Sequence, residues 1–334
     1  MNFETFTESF RALSSPERQE LVGKLLLLLE SPPASAKDAR PSEQAPTPLA
    51  CTSCASTHVR ANGRNKGVQR YWCADCGGHF SETTGKAVWN LKKRHLFGTY
   101  LMNMLMGHSI RKCAELTDIS VQTSFDWRHK VLSAFCQAAP EGFSGIVESD
   151  DIFFLHSEKG SRKLEREPRR RGTAASKRGI SNEQVAVVVT RDRQEVTDMK
   201  VATRGRISKA DLERVIGDRL EDADTLCTDC HRSYTAFAKA KGVDHRKFNA
   251  RKGQRVKDRV YHIQNVNSAA SRLRKWMRPF NGVATKYLQN YLNWFVVLES
   301  IKDSRQRLQQ FAILACTATS AWQTWKSIPD SVLI

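Results

Sequence analysis

The chain has 334 residues and is 40% hydrophobic, enough for a real core and for two or three folding units rather than one. Its 53 Lys and Arg against 35 Asp and Glu give a formal net charge of +18, which draws the chain to a polyanion, above all nucleic acid. No apolar run reaches the roughly 18 residues a spanning helix needs, so no membrane is expected, and the start Met1-Asn2-Phe3-Glu4 lacks the basic region of a signal peptide. The expected location is therefore the cytoplasm; in such a reducing compartment the nine cysteines point to metal binding or burial rather than to disulfides.

Residues 1–30 show helical spacing, with Phe6, Phe10 and Leu13, and then a restart at Ser15-Pro16 that runs through Leu21, Leu25 and Leu29. Residues 31–49 are rich in Pro, Ala and Ser and read as a linker. Residues 50–82 hold Cys51-Thr52-Ser53-Cys54 and, eighteen residues on, Cys73-Ala74-Asp75-Cys76. Two such pairs, each offering two thiolates from one tight turn, make a tetrahedral structural zinc site, a zinc ribbon. His58 and His79 are surplus to it and are expected on the surface.

Residues 89–138 read as a helix-turn-helix domain. Phe97, Tyr100, Leu101 and Leu105 mark one helix, Ser109 caps a second through Leu116, and a third runs from Val121 to Phe135. Its first turns expose Gln122, Thr123, Ser124 and Arg128 to base edges if it is a recognition helix. A plain three-helix core gives the same pattern.

From Gly145 the period changes to that of strands. Gly145-Ile146-Val147-Glu148-Ser149-Asp150-Asp151-Ile152-Phe153-Phe154-Leu155-His156 is a buried strand with acids in its middle. Buried carboxylates need a cation or an ionic partner. An Arg-rich stretch from Lys159 to Arg178 follows, expected to touch phosphates, then strands at Gln184–Thr190 and Val196–Ala202 and a helix capped at Ser208. A short strand, Thr225-Leu226-Cys227-Thr228-Asp229, ends in an acid; Cys227 and Cys230, with no second pair near them, are expected to pack at the strand end. Another strand at His245–Phe248, a helical segment from Val260 to Phe280 and amphipathic helices over Lys286–Ile301 and Arg305–Trp325 complete the chain.

Asp150 and Asp229 thus close two strands of one sheet. Two carboxylates so placed can hold a pair of hard cations, magnesium or manganese, which about 4 Å apart serve phosphodiester displacement.

At this point the sequence resembles the DDE/D-type transposases of the IS1595 insertion-sequence family, the ISXO2-like group. The resemblance rests on the zinc ribbon, the helix-turn-helix, Val147-Glu148-Ser149-Asp150-Asp151, Cys227-Thr228-Asp229-Cys230-His231-Arg232-Ser233-Tyr234, and His262-Ile263-Gln264-Asn265-Val266-Asn267-Ser268 with Gly282-Val283-Ala284-Thr285-Lys286-Tyr287-Leu288. It covers nearly the whole chain. It implies an α+β multidomain protein in which zinc ribbon and helix-turn-helix precede an RNase H-like α/β catalytic domain with a mixed sheet, at residues 143–301, ahead of a helical tail at 302–334. It also implies a catalytic set of Asp150, Asp229, Asn267 and a basic residue that falls at Arg274 or Lys275. Ala270 stands where other members carry a third acid, and Asp151 where they often carry Glu; alternation along a strand turns Asp151 away from Asp150.

The function so implied is an insertion-sequence transposase, DNA-associated and of prokaryotic type. Zinc would be structural, and magnesium or manganese catalytic. Its partner would be double-stranded DNA, both the terminal inverted repeats and the target, gripped by a homo-oligomer. Water would cut a strand at the element's end and the freed 3′-hydroxyl would attack target DNA in line. Two other readings share parts of the pattern: a zinc-ribbon and helix-turn-helix regulator or decayed transposase without chemistry, and an RNase H-like nuclease.

Overall fold

The computed structural model describes residues 49–320 apart from 66–67, 139, 162–163, 165–166, 168–173, 250–251 and 303–306. The expected N-terminal helices at 1–30, most of the linker after them, and the arginine run 169–171 lie outside the described residues. The described residues divide into two compact units, one of residues 49–134 with 307–320, the other of residues 135–302.

In the first unit, strands β1 (Val59–Asn65), β2 (Val68–Cys73) and β3 (His79–Ser81) form an antiparallel sheet in sequence order. Its apolar interior is small: Cys51, Cys73 and Phe80, with Val59 and Tyr71 against them. So few buried side chains cannot hold a fold of this size without a metal. Helices α1 (Phe97–Leu105), α2 (Ile110–Thr117) and α3 (Val121–Ala134) follow. Gly107, at φ +73°, ends the α1 region, and the Ser109 hydroxyl caps α2 by accepting the Lys112 N–H at 3.3 Å. Trp127 packs edge-on against Phe97 and Tyr100, each ring pair 5.3 Å apart, which locks α3 onto α1.

The C-terminal segment expected as a tail belongs to this unit. Helix α8 (Arg307–Thr317) buries Phe311 and Ala315, and the Ser320 hydroxyl meets that of Ser133 at 3.0 Å. A β-bridge joins Lys86 to Thr319. Some 170 residues of chain therefore intervene between parts of one core, which local periodicity has no means of revealing.

The second unit is built on a five-stranded sheet of β4 (Ser144–Leu155), β5 (Gln184–Asp192), β6 (Thr197–Arg204), β7 (Asp222–Asp229) and β8 (Asp244–Phe248). The spatial order is β6-β5-β4-β7-β8; β4, β5 and β6 pair antiparallel, whereas β4, β7 and β8 pair parallel. This is the RNase H-like mixed sheet anticipated from the sequence. Helices α4 (Lys209–Ile216) and α5 (Arg232–Lys241) cover one face, packing on Val147, Ala186, Val188 and Leu226. Helices α6 (Gln264–Met277) and α7 (Thr285–Ser300) cover the other, over Ile152, Val185, Val187 and Val189. Being covered on both faces, the central strands carry β-branched runs rather than a polar alternation. Rings of Trp276, Phe280, Tyr291 and Trp294, with centroids 4.9 to 5.8 Å apart, clamp α6 to α7.

One local expectation changes. The helical pattern read from Val260 begins only at Gln264, because Val256–Lys257 (β9) and Tyr261–His262 (β10) pair as a two-stranded antiparallel hairpin. Val and Tyr favour such an extended ribbon over a helix.

Candidate functional site

In the first unit the four cysteines come together. Sγ of Cys51 lies 3.6 Å from Sγ of Cys76, Sγ of Cys54 lies 3.6 Å from Sγ of Cys73, and the four sulfurs are all within 4.8 Å of one another. Four sulfurs at about 2.3 Å from a tetrahedral zinc stand roughly 3.8 Å apart, so the donor set and its spacing fit that ion. The N–H groups of Ser53 and Cys54 lower the Cys51 thiol to about 6, while the crowded neighbouring thiols raise Cys54 and Cys76, so that one thiolate forms readily and the rest need a cation between them. Among the described residues this is the one group of three or more candidate ligands so closely spaced.

The residues expected to read bases separate into two pairs. Gln122 is exposed and Thr123 partly so, on the first turn of α3. Ser124 and Arg128 are both buried inside the helix group, which corrects the expectation for them. The Ser124 hydroxyl donates to the Ile110 carbonyl at 2.7 Å, and Arg128 Nη2 donates to the His108 carbonyl at 2.7 Å. Positions 124, 128 and 131 form one stripe at helical spacing, and Val131 is fully buried, so the stripe faces inward.

In the second unit, alternation along β4 sends Val147, Ser149, Asp151 and Phe153 to the α4–α5 face and Glu148, Asp150, Ile152 and Phe154 to the α6–α7 face. The parallel ladder between β4 and β7 pairs Glu148 with Cys227. Two residues on along each strand stand Asp150 and Asp229, on the same face; Asp229 ends β7, whereas Asp150 lies in the middle of β4, just past the last rung of the parallel ladder and so at the edge of the parallel part of the sheet. That edge, where parallel strands stop, is where ligands of open α/β sheets gather. Cys227 itself is buried and Cys230 exposed.

Burial pushes the Asp150 carboxyl up to about 7; the charges of Asp151 and Asp229 add to the rise, and the Asp151 N–H and the Arg274 guanidinium oppose it. Burial and then the charge of Asp229 raise Asp151 to about 6, with His231 opposing. Tyr234, wholly buried, is likewise raised by burial and by all three acids. The Asp229 carboxylate also accepts the His231 N–H at 2.8 Å, at the start of α5.

Helix α6 brings the remaining residues. Asn267 lies exposed on its second turn, its side chain without a hydrogen bond among the described residues. Arg274, two turns on and on the same stripe, opposes the rise at Asp150 by its charge; Lys275 lies a further 100° round the helix, and both side chains are exposed.

What positions α6 is a residue that sequence reasoning passed over. Glu148 is fully buried, and its Oε2 accepts the Val266 N–H at 3.0 Å in the first turn of α6. Its Oε1 is ion-paired with Arg193 Nη1 and lies 3.3 Å from His262 Nδ1. A buried carboxylate satisfied by a helix N-terminus and a guanidinium is a structural tie. It joins β4, the β5–β6 turn and α6 two residues before Asp150.

A mixed five-stranded sheet with acids where its parallel ladder stops thus stands in one chain with a four-cysteine cluster and three helices. The model of the ISXO2-like transposase domain, of the IS1595 family, matches residues 142–296. The chain is also 28% identical, over 252 residues, to an uncharacterised protein in transposable element ISH50 of Halobacterium salinarum, covering 73% of this chain and 83% of that one. Among solved structures it is similar to a chain of a simian T-cell lymphotropic virus intasome in complex with a PP2A regulatory subunit, at 11% identity, TM-score 0.30, 69% of this chain and 75% of the other. A chain of a pre-cleavage Mos1 transpososome follows at 11% identity, TM-score 0.19, 66% and 78%. Neither likeness is close enough to bear on the fold. No helix among the described residues is long and apolar enough to cross a membrane.

Proposed function

We propose that the chain is an insertion-sequence transposase that binds the terminal inverted repeats of its element and cuts and joins DNA at the sheet edge marked by Asp150 and Asp229. The observation that carries the reading is the placement of these two acids on one face of adjacent parallel strands, just past the point where their ladder stops, within the residues that match a transposase domain. Asp150 and Asp229 hold divalent cations, magnesium or manganese, through their carboxylate oxygens. Such ions supply the positive charge that activates an oxygen nucleophile and steadies the leaving oxygen of a phosphodiester. Arg274 adds a fixed cation beside Asp150 for the phosphate undergoing displacement, and Asn267 offers an uncommitted amide from the same stripe of α6. Lys275 is the alternative for the basic role. Asp151, on the opposite face, adds negative charge without sharing the α6 side.

The zinc ribbon and the helical group present the end of the element, with Gln122 and Thr123 at the groove. Joining two ends calls for at least two protomers. Full-length protein incubated with a fragment carrying element ends in Mg2+ should nick at those ends and, given target DNA, transfer the strand. Asp150→Asn and Asp229→Asn should each bind the ends and cut neither. Binding without nicking by the unsubstituted chain, in Mg2+ and Mn2+ alike, would favour a DNA-binding regulator instead.

A further inference from the structure

The β9–β10 hairpin is assigned no role by the catalytic reading, yet it is fastened to the site. Arg193 Nη2 donates to the Val260 carbonyl at 2.9 Å, and His262 meets Glu148, which stands two residues, roughly 7 Å, before Asp150 on β4. At its root, Arg246 stacks on the Tyr261 ring at 5.0 Å and Lys257 on the Phe248 ring at 5.5 Å. An isolated two-stranded hairpin is marginal in water, so these anchors hold it out in one place.

Everything beyond the root is turned to solvent. Residues 252–260 carry Lys252, Arg255, Lys257 and Arg259 against Asp258 alone, and all nine but the half-buried Lys257 are exposed. Lys252, Arg255 and Arg259 have no carboxylate partner among the described residues. Val256 and Val260 are 46% and 50% exposed, among the largest such values for apolar side chains in the structure. The tip bends through Asp258 and Arg259 at φ +48° and +61°, two successive left-handed non-glycine residues. Successive left-handed residues of this kind are what a tight hairpin turn between twisted strands requires. Unpaired cations, exposed aliphatic groups and a ribbon narrow enough to enter a groove are complementary to duplex DNA: guanidinium and ammonium groups to phosphates, valines to the sugar edge.

We propose that residues 252–262 form a ribbon that grips the duplex whose phosphodiester lies at the Asp150–Asp229 edge. This inference rests on the transposase reading of that edge. The ribbon meets the duplex on the side of α6, and Glu148 fixes its distance from the reacting phosphate through Arg193 and His262.

The test compares full-length protein with Lys252→Ala/Arg255→Ala/Arg259→Ala and with the charge-keeping Lys252→Arg/Arg255→Lys/Arg259→Lys. Affinity is measured over a range of salt for two duplexes, one carrying the element's end and one of unrelated sequence standing for the target. The alanine variant should lower the slope of log K against log salt by about 2 to 3 on at least one duplex, while the charge-keeping variant retains it. A loss on the end duplex alone places the ribbon on the flank of the element, and a loss on the unrelated duplex places it on the target; both support the proposal. Equal slopes for all three proteins on both duplexes, with equal thermal unfolding midpoints, would overturn it. Cleavage by the unsubstituted chain in Mg2+ is scored in parallel: its absence counts against the transposase reading, and the slopes still decide the ribbon.

Discussion

The carboxylate of Glu148 and the backbone N–H of Val266, 118 residues apart in sequence, meet at 3.0 Å in the interior of the second unit. Through that bond the helix bearing Asn267 and Arg274 is registered against the strand bearing Asp150. Removing one member of a buried, hydrogen-bonded ion pair costs about 3–5 kcal/mol, because the other charge is stranded. Glu148→Ala should therefore destabilise the protein by about that amount in urea unfolding. Glu148→Met/Arg193→Met should recover most of the loss and still cut DNA poorly, since α6 has lost its tie.

Arg274 and Lys275 are neighbours in sequence but not in setting. Arg274 acts on Asp150, whereas Lys275 lies on another stripe of the helix. Arg274→Ala should lower the cleavage rate at least tenfold with end binding intact, and Arg274→Lys should restore part of it. Lys275→Ala should change the rate less than threefold. Single-turnover nicking assays on the same DNA check both, and a larger effect at Lys275 would reverse the assignment.

The four-sulfur cluster and the thin core around it make the ribbon dependent on metal. Purified protein should carry one zinc per chain by elemental analysis. Cys73→Ser, at the buried end of the cluster, should lose the zinc and with it specific binding to element ends, and chelation should do the same. The Asp150 body should keep its own unfolding transition.

Arg128 and Gln122 lie on the same helix with opposite surroundings. Arg128 is buried and bonded to His108, whereas Gln122 is exposed. Arg128→Ala should lower the melting temperature by several degrees, about 2–4 kcal/mol for a buried, hydrogen-bonded charge left out of the core. Gln122→Ala should leave stability within about 0.5 kcal/mol and weaken binding to the cognate end relative to unrelated DNA. Thermal unfolding and competition binding separate the two effects.

These contrasts show where sequence reasoning reaches and where it stops. The ribbon was legible because CxxC spacing is a local constraint set by the metal. The sheet was legible because β-branched runs such as Val185 to Val189 mark strands buried on both faces. Asp150 and Asp229 stood out as acids inside such strands. Glu148 did not, although the signal was present: it is two residues from Asp150, hence on the same face, and more deeply buried. Its partners Arg193, His262 and Val266 come from three distant segments, and only the fold assembles them. Ser124 and Arg128 were placed outward from their position near a helix start, although their spacing with Val131 points them inward. The return of α8 to the first unit, and the hairpin at 256–262, depend on tertiary contacts that no local period encodes.

Asp150 and Asp229 are proposed to share divalent cations, and Mn2+ binding to the full-length protein measures that directly. Isothermal titration of zinc-loaded protein should find Mn2+ sites whose affinity falls at least tenfold in Asp150→Asn and in Asp229→Asn, with the double variant little worse than either. Unchanged Mn2+ affinity in Asp229→Asn, or losses in the two single variants that simply add, would mean that the acids do not share the ions and would contradict the account.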